Sequence, residues 1–229
     1  MVSVKVWAEF ACFTRPENKV ERVSYDVMTP SAARGVLESI FWKPEFRWLV
    51  REIWVLKPIR HFSILRNEVN SIASARSAQA WEKSGGGYLA DEDRAQRHAL
   101  VLRDVAYVIR ADLELFPHAT DPLKKYTEIF ERCTEKGQSH RMPYLGTREF
   151  SAHFGPVSDQ DRPIDFSDDL GRMLFDMVYA PRKGGPVKYR VHGPNGGQWI
   201  EGEARPRFFP ARLVKGVLTV PPELYKEVG

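Results

Sequence analysis

The stretch ALVLRDVAYVIRADLELF, residues 99–116, decides the fold because it predicts one long strand in the middle of the chain. Apolar residues alternate with polar ones along it, as expected for a strand with one buried face. That face comprises Val101, Val105, Tyr107, Ile109, Ala111, Leu113 and Leu115. The segments on either side predict the other strands and the helices that would build a sheet around it.

Three other strands are predicted in the first 155 residues. Residues 2–13 alternate between apolar and polar side chains, which indicates a half-buried strand. Residues 46–59 are rich in aromatic and β-branched residues, which favours a second strand. A short strand is expected at residues 148–154, after the last predicted helix.

Two helices separate these strands. The first is predicted over residues 30–42, with Ser31 as its N-terminal cap. The second opens at Asp121, which we expect to cap it, with Pro122 in the first position and Gly137 at the end. The apolar stripe of this second helix comprises Leu123, Tyr126, Phe130 and Cys133.

The resulting order is strand, helix, strand, strand, helix, strand. This is the order of the ferredoxin-like fold and of RNA-recognition modules, so an α+β domain is predicted over residues 1–155. Residues 60–99, which contain three successive glycines and several arginines, are predicted to form a protruding basic hairpin. Residues 156–229 contain short strands, prolines and glycines, and we expect a β-rich C-terminal subdomain with a hairpin turn at residues 192–198.

Composition excludes several classes of function. The two cysteines form no CxxC pair, and no two of the six histidines are spaced as i and i+4, so no metal site and no cofactor are expected. Phosphate-binding loops and the GxSxG elbow of hydrolases are absent. No apolar run approaches the roughly 20 residues that span a bilayer, and no signal peptide is recognisable, so a cytoplasmic protein is expected.

The start of the second predicted helix carries an unusual charge. Acidic residues are preferred at a helix N-terminus, yet Lys124 and Lys125 stand there. One explanation is that the helix start faces an anion, and phosphate is the best candidate. The net charge of +4 and the sequence pI near 9.0 are a mild basic excess, which is compatible with a nucleic-acid partner and also found in proteins that bind none.

Cations are interleaved with aromatic residues in three stretches, a pattern that can neutralise phosphates and stack bases. The alternative is a solvated surface over an aromatic core. Arg34, beside Gly35, is a further candidate, although Gly35 could equally serve tight helix packing. The predicted RNA-binding residues are Arg15, Lys19, Arg22, Arg34, Trp42, Lys43, His140, Arg141 and Arg148.

Two of these stretches resemble a known family. TRPENKVERVSYDVMTPSAARGVLESIFWKP, residues 14–44, and KGQSHRMPYLGTREF, residues 136–150, resemble the CRISPR-associated RAMP proteins of subtype I-C (Dvulg). The resemblance extends from residue 4 to about residue 155 and is weaker beyond. It implies a ferredoxin-like core with a basic hairpin, metal-independent cleavage of CRISPR repeat RNA, and retention of the product with other subunits of a surveillance complex.

The resemblance also implies a mechanism and a set of catalytic positions. The ribose 2′-hydroxyl attacks the adjacent phosphate, leaving a cyclic phosphate and a 5′-hydroxyl. The family pattern has a tyrosine where this chain has Phe41, and a Lys-His pair where this chain has Lys124 and Lys125. The catalytic candidates are therefore Lys124, Lys125, Tyr126 and the Phe41 position, with His118 and His140 as further candidates for proton transfer.

Two alternatives to the nuclease remain open at this point. Because Phe41 cannot move a proton and lysine is a poor base near neutral pH, the chain could be a non-catalytic subunit that binds the crRNA handle. A general nucleic-acid binder, including one that binds duplex DNA, is the other alternative.

Overall fold

The fold is organised by one strand of 22 residues, Arg94–Leu115, as the computed structural model shows. The structure describes residues 1–18, 20–71, 74–87, 89–194 and 196–227. Within these ranges the elements in chain order are β1 (Val2–Ala11), β2 (Arg22–Val23), α1 (Pro30–Ile40), β3 (Phe46–Val55), β4 (His61–Val69), α2 (Ala75–Ser84), β5 (Arg94–Leu115), α3 (Leu123–Glu135), β6 (His153–Gly155), β7 (Asp168–Pro181), β8 (Val187–Gly193), β9 (Gly196–Val214), β10 (Val217–Thr219) and a 3-10 helix (Pro222–Glu227).

Strand β5 pairs with neighbours along its whole length. Its second half is antiparallel to β1, from Val2 opposite Ala111, and to β3, from Phe46 opposite Leu115. Its first residues are antiparallel to β4. The sheet runs in the order β6-β1-β5-β3-β10-β9-β7 and is antiparallel except where the short β2 meets β5. The predicted long strand is confirmed, and it begins five residues earlier than predicted because β4 extends the pairing.

Helices α1 and α3 cover one face of this sheet. The apolar side chains of α1, including Leu37 and Ile40, are buried in the same cluster as Val4 of β1 and Ile109 of β5. In α3 the ring of Phe130 packs edge-on against Trp48 of β3, with 4.8 Å between centroids. The fold is therefore a mixed α and β structure with a large antiparallel sheet.

Both helix starts differ from the sequence prediction. Thr29, not Ser31, caps α1, since its hydroxyl accepts a hydrogen bond from the Ala32 amide at 3.3 Å. In α3 the cap position belongs to Pro122, and the Asp121 carboxylate instead accepts a hydrogen bond from the Lys125 ammonium at 2.8 Å. The helix α3 therefore begins one residue later than predicted.

The buried stripe of α3 also differs in part from the prediction. Tyr126 and Phe130 are buried, but Leu123 is exposed and Thr134 occupies a buried position. Cys133 is only half-buried. The Thr134 hydroxyl donates to the Phe130 carbonyl, which satisfies its polar atom inside the core.

The segment at residues 60–99 forms a long hairpin of β4 and the start of β5, with α2 between them. None of the α2 residues is buried. At the other end of the chain, β10 pairs with β3, so the C-terminal strands continue the same sheet. Strands β8 and β9 form a hairpin closed by Gly193 opposite Gly196, which confirms the turn predicted at residues 192–198; Asn195 lies outside the described residues. None of the described helices is long and apolar enough to cross a membrane.

An ion pair connects α1 to β7. The Arg34 guanidinium donates to both carboxylate oxygens of Asp176, at 2.8 and 2.9 Å, and to Glu38 at 2.7 Å. Asp176 is buried, with 7% of its surface exposed. The pair fixes the helix against the C-terminal strands, although its two residues are 142 positions apart in the chain.

Replacing Asp176 by Asn should destabilise the protein. Loss of the charge leaves Arg34 partly buried against a neutral amide, and we expect the free energy of unfolding to fall by about 2 kcal/mol. Asp169→Asn is the matched control, because Asp169 is exposed and its 3.4 Å ion pair with Arg212 should contribute less than about 0.5 kcal/mol. Urea unfolding measures both; equal midpoints for the two variants would contradict the assignment.

Candidate nucleic-acid interface

A groove runs between the second half of α1 and the segment that follows α3. Its volume is about 810 Å³. The lining residues are Gly35, Glu38, Ser39, Trp42, His140, Arg141, Met142, Tyr144, Arg148 and Ser151. Four of the predicted RNA-binding residues, Trp42, His140, Arg141 and Arg148, are thus brought together although they come from two separate segments.

Backbone hydrogen bonds hold the second wall of the groove in place. The amides of His140 and Arg141 donate to the carbonyls of Ile40 and Ser39, at 3.2 and 2.9 Å. These carbonyls belong to the last turn of α1, which lacks partners within the helix. The end of α1 and the groove segment therefore satisfy each other's backbone groups.

Gly146 lets the groove segment approach β1 closely. Its backbone is left-handed, with φ of +87°, and a Cβ added to it would lie 2.0 Å from the Cys12 carbonyl oxygen. The neighbouring Leu145 carbonyl accepts a hydrogen bond from the Cys12 amide at 3.0 Å. No side chain other than hydrogen fits this position, so glycine is required here.

Gly35 faces the groove. A Cβ added to it would meet no atom within 4 Å, so it does not serve tight packing of helix against sheet. The alternative reading of Gly35 as a packing glycine is therefore wrong. Its missing side chain widens the groove beside Trp42, whose indole is 41% exposed.

A second cluster lies where the end of α1 meets the start of α3. The Phe41 ring packs on Phe46 at 5.4 Å, and Phe46 packs on Tyr126 at 5.4 Å. The Lys43 ammonium lies 5.9 Å from the centre of the Tyr126 ring. The structure thus brings Phe41, Lys43 and Tyr126 together, next to the two lysines that open α3.

Tyr126 is fully buried, as its place on the helix stripe predicted. Its hydroxyl makes no hydrogen bond of normal geometry within the described part of the chain. Desolvation raises the pKa of this phenol, and the nearby Glu45 carboxylate raises the pKa further. The hydroxyl therefore stays protonated at neutral pH.

The two lysines at the start of α3 point into solvent. The side chain of Lys124 is 84% exposed and that of Lys125 is 54% exposed. Lys124 lies 3.7 Å from Glu128, and Lys125 is 2.8 Å from Asp121. Such surface ion pairs are weak, so both ammonium groups can turn toward an incoming phosphate.

His118 is tied to the same region. Its Nε2 lies 2.9 Å from the Pro44 carbonyl oxygen, and its ring stacks on Phe116. One of its ring nitrogens is therefore engaged with the backbone. His140, in contrast, is exposed and lines the groove.

Three further predicted RNA-binding residues, Arg15, Arg22 and Arg34, do not line the groove. Arg15 stacks over Tyr25 and lies 3.5 Å from Asp26. Arg22 lies 3.3 Å from Glu149 and 3.6 Å from Glu68. Arg34 is held by Asp176 and Glu38, as described above. Lys19 lies outside the described residues, and no group of three His, Cys, Asp or Glu side chains within the described ranges is placed to hold a metal ion.

Two residues of the interface were missed at the sequence level. Tyr144 lines the groove and is 38% exposed, and its place beside the glycine turn could have identified it. His192, from the β8–β9 hairpin, contacts the edge of Trp42 with 5.3 Å between ring centroids. Nothing in the local sequence signals that contact, because the two residues lie in widely separated parts of the chain.

Replacing Gly146 by Ala should disturb the groove. The added methyl group collides with the Cys12 carbonyl, and we expect the free energy of unfolding to fall by about 3 kcal/mol, with weaker RNA binding. Gly137→Ala is the control, since Gly137 also has a positive φ of +62° but nothing within 4 Å, and it should lose only about 1 kcal/mol. Thermal unfolding and RNA titration measure both, and an equal loss in the two variants would refute the steric argument.

Comparison with known proteins relates this geometry to a family. A family model described as CRISPR-associated protein (Cas_Cas5) matches residues 1–221. A protein of Thermus thermophilus is 50% identical over 227 residues, which cover 99% of this chain and 94% of the relative. One from Mannheimia succiniciproducens is 41% identical over 240 residues, covering 99% and 97%. Both relatives are named CRISPR pre-crRNA endoribonuclease Cas5d.

Solved structures share the fold. A functionally uncharacterised protein from Streptococcus mutans superposes with a TM-score of 0.61 at 21% identity, and a CRISPR-associated protein superposes with 0.62 at 22%. Each alignment covers 97% of this chain and 92% of the other. The resemblance of residues 14–44 and 136–150 to the CRISPR-associated family is confirmed, and the chain belongs to the Cas5d family of CRISPR-associated proteins.

Proposed function

We propose that the protein is an endoribonuclease that cleaves the repeat of precursor CRISPR RNA and then stays bound to the product in the type I-C surveillance complex. The names of the two relatives support the activity. The observation that carries the proposal is the groove, which places an exposed tryptophan beside an imidazole and two guanidinium groups. That combination suits an RNA strand whose bases stack while its phosphates are neutralised.

The end of α1 is the proposed point of cleavage. On the groove side, the Ile40 carbonyl accepts a hydrogen bond from the His140 amide. On the other side, the ring of Phe41 packs on Phe46, which in turn packs on Tyr126 at the start of α3. RNA lying in the groove would pass from Trp42 toward Lys124 and Lys125. Their charges, together with the positive end of the helix, would stabilise the negative charge that develops on the phosphate.

The proposed reaction needs no metal. The 2′-hydroxyl loses its proton to a base and attacks the adjacent phosphorus, while an acid protonates the departing 5′-oxygen. Tyr126 is buried and its phenol pKa is raised, so it serves as support for Lys43 rather than as the base. His140 is the exposed imidazole in the groove, and we assign proton transfer to it rather than to His118.

Two observations favour a second candidate function. Phe41 lacks a hydroxyl, and Lys125 stands 2.8 Å from Asp121 where the family pattern has a histidine. A chain with this site could bind the crRNA handle without cutting it. Such a subunit could also have affinity for duplex DNA; binding of unrelated RNA and duplex DNA as tightly as the repeat would make it a general nucleic-acid binder.

The fold supports membership of the ferredoxin-like class. The order β6-β1-β5-β3, with α1 and α3 as the connecting helices, matches a split βαβ arrangement in which the two central strands are first and third in sequence. The β4–β5 hairpin would be its protruding basic insertion. We propose residues 1–155 as this domain and residues 156–229 as a C-terminal subdomain that extends its sheet through β10.

Cleavage in excess EDTA tests the activity. Wild type should cut its cognate repeat RNA at one position and leave a cyclic phosphate. Lys124→Ala and Lys125→Ala should each slow single-turnover cleavage by about 10- to 1000-fold, because each removes a cation from the transition state. His140→Asn should slow it by about 100-fold or more.

Lys136→Ala is the matched control, since Lys136 is an exposed lysine at the opposite end of α3. It should cut like wild type. Tight RNA binding without a cut would establish the handle-binding subunit instead. Equal competition by unrelated RNA or by duplex DNA would indicate a general nucleic-acid binder.

A further inference from the structure

The net positive charge of the chain is concentrated in one part of the sheet. Residues 179–207 contain six lysines and arginines and two glutamates, which gives +4 with histidine neutral. The whole chain also carries +4, from 34 basic and 30 acidic residues, so all its other residues together are neutral. This segment covers the last three residues of β7, all of β8 and most of β9. We call the three paired strands β7, β8 and β9 the C-terminal ribbon. A surface with this local excess attracts a polyanion.

One face of the C-terminal ribbon is turned toward the groove. Side chains alternate between the two faces of a strand, so residues paired directly across strands share a face. His192 of β8 contacts Trp42 of the groove, and Asp176 of β7 binds Arg34 of α1. Asp176 pairs with Arg207 across the strands. Arg207 and Trp199 are an even number of residues apart on β9, so Trp199 lies on the same face as Asp176. We call the face that these residues share the inner face.

The inner face carries the most exposed tryptophan among the described residues. Trp199 is 66% exposed and pairs directly with Arg190. The Arg190 side chain lies across Gly197, where an added Cβ would be 2.0 Å from its Nε. Gly197 in turn pairs with His192. From the groove outward, the side chains on this face are therefore the imidazole of His192, the guanidinium of Arg190 and the indole of Trp199.

The acidic residues of this face are already neutralised. Glu201 lies 3.6 Å from Lys188, and Glu203 lies 2.6 Å from Arg205 and 3.1 Å from Arg182. Arg190 forms no salt bridge with any residue in the described ranges. Its charge is therefore available to a ligand, and it stands directly beside the exposed indole of Trp199.

We propose that the inner face of the C-terminal ribbon is a second RNA-binding site, which holds the single-stranded part of the RNA that leaves the groove past Trp42. Trp199 stacks on a base, Arg190 neutralises the phosphate beside it, and His192 lies at the junction with the groove. This inference rests on the proposed function and adds a binding surface to it.

The geometry favours a single strand over a duplex. A base offers its flat face to an indole only when it is unstacked from its neighbours, which is the case in single-stranded RNA. A duplex would contact the cations but leave the face of Trp199 unused. The experiment therefore compares the binding of single-stranded RNA with the binding of duplex DNA.

Fluorescence anisotropy tests the site on the full chain. The ligand is the repeat RNA with a 2′-deoxyribose at the nucleotide that wild type cuts, or the unmodified repeat if wild type does not cut. Trp199→Ala should raise the Kd by about 5- to 150-fold, and Trp199→Phe should restore most of the affinity. Arg190→Ala should make the fall of log K, the logarithm of the association constant, with log salt concentration less steep, by about one unit of slope.

Two controls match these changes. Gln198→Ala alters the exposed neighbour on the opposite face, and Arg162→Ala removes an exposed cation that lies with Lys5 and Trp7 beside β1, on the other half of the sheet from the ribbon. Both should bind RNA like wild type, apart from a small charge effect for Arg162→Ala. If Trp199→Ala and Arg190→Ala bind no worse than these controls, the second site is overturned.

The outcome is separate from that of the cleavage assay. A wild type that binds RNA without cutting it would remove the nuclease proposal and leave the ribbon test intact. A wild type that cuts normally, with ribbon variants indistinguishable from the controls, would remove only the second site. If Trp199→Ala weakens binding of duplex DNA as much as binding of single-stranded RNA, the assignment to a single strand is wrong.

Discussion

The backbone pairing of β5 is the constraint on which the rest of the structure depends. This strand of 22 residues pairs with β1 and β3 along its second half and with β4 along its first. Its length therefore joins the central sheet to the β4–β5 hairpin without a break. With β1, β3 and β5 in place, α1 and α3 have one apolar face on which to pack, and their ends meet beside Phe41 and Phe46. The groove forms where the segment after α3 returns to the end of α1.

The groove is assembled from parts that are distant in sequence and joined by backbone groups. The last turn of α1 accepts hydrogen bonds from His140 and Arg141, and Gly146 allows the same segment to contact β1. These bonds use carbonyls that a helix end leaves free, so the site's position does not depend on the side chains that would bind RNA. Arg141 and Arg148 can therefore face solvent and ligand while the segment that carries them stays fixed.

Local pattern predicted the elements well and the contacts between distant segments poorly. The alternation in residues 99–116 and the periodic Tyr126 and Phe130 correctly indicated a strand and a buried helix face, because periodicity is a local property of the sequence. Arg34 looked like an RNA ligand because its partner, Asp176, is 142 residues away and invisible to local pattern. The cap of α3 failed for a local reason instead: Asp121 has the right side chain, but its carboxylate accepts a hydrogen bond from Lys125 four residues further on. The contact between Trp42 and His192 could not be predicted, since it depends on where the C-terminal strands join the sheet.

The central claim is that RNA lies in the groove and passes the end of α1, and photo-cross-linking tests it most directly. Repeat RNA with 4-thiouridine at single positions would be irradiated with the wild-type protein, and the attached peptides identified by mass spectrometry. The account predicts cross-links to Trp42, to the segment 140–148 and to the start of α3. Cross-links confined to the helix-free face of the sheet, around Trp7 and Trp54, would contradict it.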